Sequence, residues 1–197
     1  MTGITITPGV PGQIADLFET GEIRWEKGWG DRKTHTCLHG ALLRPCAEPG
    51  DEIMWSILLS ARGRTTRWND EQADVSSVVA ALRAEADPDE DEMVRVFGPN
   101  WRAARTVCRT WAQSTGEQRE ALSAASGRTS ASDVWAAWDA WAAWAAWAVW
   151  AAWDAWDAWA AFVAVVAKPW INPTTLWTQE LYDHLIAPWT TMFGEPS

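Results

Sequence analysis

Cysteine, histidine and tyrosine are scarce in this chain of 197 residues, which contains three, three and one of them. The cysteines are Cys37, Cys46 and Cys108, an odd and widely spaced set that is typical of reduced thiols rather than of a disulfide framework. The N-terminus has neither a basic segment nor an apolar one, so we expect no signal peptide. Together these features predict a cytoplasmic protein.

Long apolar runs are also missing. In the region rich in alanine and tryptophan, the longest uncharged stretch covers residues 140–153, and Asp139 and Asp154 bracket it. A helix that spans a bilayer needs about 20 apolar residues. We therefore expect no membrane span.

Basic residues are in the minority, because 16 Lys and Arg against 26 Asp and Glu give a formal net charge of −10. Binding to phosphate backbones or anionic lipid needs a basic surface, so we expect neither nucleic acid nor a membrane as a partner. The sequence also lacks glycine-rich phosphate loops and the His-Glu-x-x-His and Gly-x-Ser-x-Gly motifs. We expect no enzyme, no catalytic residues, no cofactor and no metal.

Helix signals run through most of the first 127 residues and predict an all-α fold. The predicted helices begin at Pro11, at Cys37, at a cap formed by Asp51, at a cap formed by Asp74, near Asn100, and at a capping box formed by Thr115 and Gln118. Gly63 is expected to end the third of them. A last short helix carries Leu181, Tyr182 and Leu185, and no segment has a convincing strand pattern.

Three small motifs could carry chemistry but are interpreted as structural. His35, Cys37 and His39 would share a face on a strand and could hold zinc, but on the expected helix Cys37 points away from the histidines. We expect a buried cysteine with surface histidines, and no third group that would orient a cysteine–histidine nucleophile. Trp68 is expected to anchor the core, with Asn69 and Asp70 in a turn. The acidic residues 87–92 are expected to be a solvated turn.

Tryptophan, in contrast, is abundant: there are 18, and half of them form one array with a spacing of three. The array consists of Trp135, Trp138, Trp141, Trp144, Trp147, Trp150, Trp153, Trp156 and Trp159, and Phe162 continues the phase. Most intervening residues are alanine, the strongest helix former, which predicts one helix over residues 133–167 with Ser132 as its cap.

The spacing of three distributes the tryptophans around the whole helix. Each step of three residues turns an α-helix by about 300°, so the rings climb as a left-handed spiral that closes after about six steps. A helix that is apolar on all sides is normally buried. The aspartates Asp133, Asp139, Asp154 and Asp157 fall within about a third of the circumference, which indicates one wetter side. An extended 3₁₀-helix would instead align all nine rings, but runs of that kind are short.

The array is expected to be longer than its own domain can cover. A helix of about 35 residues is about 50 Å long, whereas a compact domain of about 130 residues is roughly 35 Å across. The overhang predicts an assembly element that copies of the chain bury together. Three alternatives stay open: a tolerated low-complexity expansion, stacking of bases or sugars on the rings, and acidic mimicry of DNA.

Several segments resemble an uncharacterised family of helical actinobacterial and actinophage proteins, known as a domain of unknown function. The resemblance covers residues 11–86 and rests on three motifs and one helix: Gly28-Trp29, the Cys37-Leu38-His39-Gly40-Ala41-Leu42 run, Trp68-Asn69-Asp70 and residues 75–84. Residues 97–101 and 182–189 resemble segments of other uncharacterised actinobacterial and actinophage proteins, which also carry alanine-rich repeats with spaced Trp and Asp. The resemblance implies a cytosolic helical domain in a phage or mobile-element context, and it implies no activity.

The sequence thus predicts three parts: an N-terminal helical domain over residues 1–127, the Ala/Trp repeat helix over 128–168 and a helical tail over 169–197. The expected function is that of a non-enzymatic structural or interaction protein that forms homo-oligomers through the tryptophan helix. The alternative is a monomeric acidic binding or inhibitor protein of phage or mobile-element origin, in which the array is internal core. A further protein partner is compatible with either function.

Overall fold

The computed structural model describes residues 6–28, 34–118, 120–121 and 178–196. Two compact units divide the chain, one over Met1–Glu90 and the other over Asp91–Ser197. The predicted array residues, the Ser132 cap and the predicted boundaries after residues 127 and 168 lie outside the described residues. The described part is mostly helical, which confirms the all-α prediction.

The first unit contains five helices and two very short strands among its described residues. The elements in chain order are α1 (Val10–Glu19), β1 (Arg24–Trp25), β2 (His35–Thr36), α2 (Leu38–Ala41), α3 (Asp51–Ala61), α4 (Thr66–Glu71) and α5 (Val75–Arg83). The second unit contains most of α6 (Glu90–Phe97), then α7 (Trp101–Gln113) and, as the next described element, α8 (Gln179–Phe193).

Helix α1 packs against α5. Val10, Ile14 and Phe18 recur every fourth residue on α1 and are buried, as are Val78 and Leu82 on α5. At the rim of this contact, the Arg83 guanidinium on α5 binds the carboxylates of Asp16 and, at 2.7 Å, Glu19 on α1. A hydrophobic stripe and a charged rim therefore fix the pairing of helices that are far apart in sequence.

Several helix caps and helix ends predicted from the sequence are confirmed. Asp74 caps α5, because its carboxylate accepts the Ser77 amide hydrogen at 2.9 Å. Thr115 and Gln118 form the predicted capping box with reciprocal bonds of 2.8 and 3.2 Å. Pro11 lies in the first turn of α1, and Gly63 follows α3 with a φ of 83°.

The predicted cap at Asp51 is wrong. The residue at the cap is Gly50, whose φ of 90° favours glycine, and Asp51 is the first residue of α3. Its side chain is buried and accepts bonds from the Thr7 backbone N–H at 2.6 Å and the Thr7 hydroxyl at 2.9 Å. A partner 44 residues away thus takes the carboxylate that the local pattern assigned to the helix end.

Further features differ from the sequence analysis, and among them residues 90–92 of the predicted acidic turn lie in helix α6. Strands β1 and β2 pair in parallel, with Arg24 opposite His35 and Trp25 opposite Thr36, and two residues are too few to show a strand pattern. The predicted turn at Asn69 and Asp70 is wrong, because both residues lie within α4. Thr65 caps that helix by accepting the Trp68 amide hydrogen at 3.1 Å.

The described helices of the second unit are amphipathic. Helix α7 buries Trp101, Ala104, Val107, Cys108 and Trp111 along one face. Helix α8 buries Tyr182, Leu185, Ile186 and Trp189, and His184 is exposed as expected. No helix in the described ranges is long and apolar enough to cross a membrane.

Candidate functional site

The carboxamide of Asn69 is the centre of a buried hydrogen-bond cluster in the first unit. Asn69 lies in the six-residue helix α4 and is completely buried. Its Oδ1 atom accepts the indole N–H of Trp25 at 2.8 Å and the backbone N–H of Leu38 at 3.1 Å. One side chain therefore joins α4 to strand β1 and to the start of α2.

The amide nitrogen of Asn69 extends the same cluster. Its Nδ2 atom donates to the backbone carbonyl of Glu26 at 3.2 Å and to Asp70 Oδ1 at 3.1 Å. The same Asp70 oxygen accepts the backbone N–H of Gly28, whose φ is 73°, at 2.7 Å. Two donor and two acceptor positions of the carboxamide are thus used, so the group is fully satisfied in a buried place.

Three motifs that are far apart in sequence meet in this cluster. Gly28, the segment that begins at Cys37, and the Asn69–Asp70 pair belong to the motifs that the sequence analysis singled out. Their residue types have a physical reason: glycine permits the positive φ, and asparagine can donate and accept at once. Sequence reasoning found the motifs, but it did not predict that they would bond to one another.

Cys37 precedes α2 and is buried, as predicted. Burial is the main cause that raises the pKa of its thiol, and the negative charge of Asp70 raises that pKa further. The thiolate is the nucleophilic form, and this surrounding favours the neutral thiol. Cys37 therefore has the surroundings of a packing residue rather than of a nucleophile.

His39 is buried, so the expectation that it lies on the surface is wrong. Its Nε2 atom lies 2.8 Å from the backbone carbonyl of Arg64, and its Nδ1 atom lies 2.9 Å from the Ser56 hydroxyl. A carbonyl can only accept, which places the proton on Nε2 and lets Nδ1 accept from Ser56. The imidazole thus joins α2 to α3 and to the segment before α4, and burial lowers its pKa.

His35 has an acidic neighbour that the sequence analysis missed. Its Nε2 atom lies 3.1 Å from Glu26 Oε2, a distance that fits an ion pair although the alignment is not that of a hydrogen bond. Its Nδ1 atom lies 3.1 Å from the hydroxyl of Thr34. The pairing of β1 with β2 brings the two side chains together, and no local pattern signals strands of two residues.

These contacts do not assemble the zinc or nucleophile sets considered from the sequence. Each ring nitrogen of His35 and of His39 already has a protein partner, and Cys37 is a buried thiol. Within the described residues, no group of three or more His, Cys, Asp and Glu side chains could hold a metal ion. The ring nitrogens of the two histidines instead contact neighbouring helices, strands and loops, and these contacts hold the secondary-structure elements together.

Thr7 is held in the same way at the start of the described chain. Its N–H and hydroxyl donate to Asp51, and its carbonyl accepts the indole N–H of Trp55 at 2.8 Å. Asp51 and Trp55 are one turn apart on α3, so they present the acceptor and the donor on one face. Like the Asn69 cluster and the contacts of His39, this clamp is a buried polar contact that connects distant parts of the first unit.

We find no match to this chain among protein-family models, curated proteins or solved structures.

Lowering the pH is expected to destabilise the protein through His39. The unfolded imidazole titrates near pH 6.5, whereas the folded pKa is lower, so below about pH 6.5 the unfolded state binds more protons. The free energy of unfolding should then fall by up to about 1.4 kcal/mol per pH unit until the folded pKa is reached. Urea denaturation between pH 7.5 and 5 measures this slope.

The matched variants are His39→Gln and His184→Gln. Glutamine can still donate to Arg64 and accept from Ser56 but does not titrate, so His39→Gln should flatten the slope. His184 is exposed on α8, and its replacement should leave the slope as in the wild type. Equal slopes in the wild type and His39→Gln would show that His39 does not govern the acid loss.

Proposed function

We propose that this chain is a non-enzymatic structural or interaction protein that self-assembles through its tryptophan array. The observation that carries the proposal is the unbroken spacing of three over Trp135, Trp138, Trp141, Trp144, Trp147, Trp150, Trp153, Trp156 and Trp159. On an α-helix this spacing places tryptophans on every side, and the four aspartates mark only one wetter arc of the circumference. Such a helix has to be surrounded.

The amount of apolar surface explains why copies of the chain are the proposed surroundings. Nine tryptophans can bury about 150–250 Å² each, which is worth roughly 35–55 kcal/mol gross at about 25 cal/mol per Å². Exposed apolar surface of that size favours association. An identical helix offers matching surface in every copy, and closed symmetric assemblies are the commonest outcome of such self-contact.

The described helices of the second unit differ from the array, because each of them buries one face only. Trp101 and Trp111 on α7 are ten residues apart and belong to one buried face, while Arg102 and Arg109 are exposed on the other. Helix α8 likewise buries a single stripe. One packed side is enough for these helices, whereas the spacing in the array requires neighbours on several sides.

The first unit supports a structural role over catalysis. The side chains that could take part in catalysis are buried, and the polar ones hold secondary-structure elements together. They are Cys37, His39 and Asn69. All three cysteines of the chain are free thiols, which suits the proposed cytoplasmic location. The acidic charge of the chain favours solubility of an assembly and disfavours binding to phosphate backbones.

Sedimentation velocity of the full chain between about 1 and 100 μM tests the proposal. We expect a concentration-dependent oligomer for the wild type. Replacing Trp141, Trp144, Trp147 and Trp150 with glutamine removes about 600–1,000 Å² of apolar surface per copy, and we expect that variant to sediment as a monomer over the same range.

The matched control carries phenylalanine at the same four positions. Phenylalanine keeps most of the apolar surface and a comparable helix propensity, so this variant should still assemble. Circular dichroism checks that the helical content of all three proteins is similar. A wild type that stays strictly monomeric at 100 μM overturns the proposal and favours the monomeric acidic binding protein, with the array as internal core.

A further inference from the structure

We draw no further inference here: the strongest candidate, the arginine face of α7 formed by Arg102, Arg105 and Arg109, carries no proposal because nothing in the described part of the chain shows which partner would cover it.

Discussion

Replacing Asn69 with leucine is expected to lower the free energy of unfolding by about 3–5 kcal/mol. Leucine has a similar volume but no polar atoms, so the Trp25 indole N–H, the Leu38 amide and the Glu26 carbonyl all lose their partner. Each unsatisfied buried group costs about 1–3 kcal/mol. Urea denaturation followed by far-ultraviolet circular dichroism measures the loss.

Gln13→Leu is the matched control for this prediction. It also replaces a carboxamide with leucine, but Gln13 is exposed, and the hydrogen bond that its Nε2 atom donates to the Pro8 carbonyl at 3.1 Å is open to water. Its free energy of unfolding should change by less than about 0.5 kcal/mol. If Asn69→Leu is no more destabilising than Gln13→Leu, the cluster does not hold the first unit together.

Asn69→Asp separates polarity from shape at the same position. Aspartate keeps the acceptor for Trp25 and Leu38 but turns the donor that faces the Glu26 carbonyl and the Asp70 carboxylate into an acceptor. We expect a loss at pH 7 at least as large as that of leucine, because a buried like-charge contact is added. At pH 5 the difference from the wild type should narrow, since a protonated carboxyl can donate again.

A milder variant covers the case in which Asn69→Leu does not fold. Serine is shorter than asparagine, so in Asn69→Ser the side-chain oxygen no longer reaches the Leu38 N–H. The Leu38 amide should then exchange its hydrogen faster relative to other amides of α2. Hydrogen exchange followed by mass spectrometry or NMR detects this. Unchanged protection at Leu38 would contradict the bond to Asn69.

Replacing Trp55 with alanine is the other change with a large expected effect, at about 3–5 kcal/mol. Trp55 is completely buried in α3, and its removal leaves a large cavity as well as an unsatisfied Thr7 carbonyl. Trp55→Phe removes the indole N–H but leaves a much smaller cavity than alanine, so it should cost about 1–3 kcal/mol. Urea denaturation of the two variants separates the cavity from the hydrogen bond.

Trp68→Ala is the control for Trp55→Ala, because Trp68 lies on α4 in the same unit but is only half-buried. The Arg64 guanidinium lies 4.9 Å from its ring centroid, a cation–π contact that contributes about 0.5–1 kcal/mol at an exposed site. We expect Trp68→Ala to be clearly less destabilising than Trp55→Ala. An equal loss of unfolding free energy at both positions would show that the burial of Trp55 and its bond to Thr7 do not stabilise the protein more than the half-buried Trp68 does.

Residues whose partners are three or four positions away were predictable from the sequence. Asp74, Thr115 and Gln118 cap helices as expected, because a helix end always leaves amide hydrogens that a nearby side chain can accept. The buried stripes follow for the same reason, since a period of 3.6 residues is a local property. The all-α class rests on such signals.

Residues whose partners lie far along the chain were not predictable in the same way. Asp51 has the pattern of a cap, yet Thr7 takes its carboxylate. His39 has the pattern of a surface residue, yet Ser56 and the Arg64 carbonyl enclose it. The local sequence shows which groups can bond, but only the packing of the elements decides which of the possible partners is near.

The bonds of Asn69 and Asp70 also have a consequence for the order in which the chain closes. They connect positions that are 44, 42 and 31 residues apart in sequence. The entropy lost on closing a loop grows only slowly with its length, and once one of these bonds has formed the others close much shorter remaining loops. The first bond therefore carries most of the entropic cost for the group, and the bonds should form and break together. Paired substitutions at Trp25 and Asn69 should then lower the free energy of unfolding by less than the sum of their separate losses.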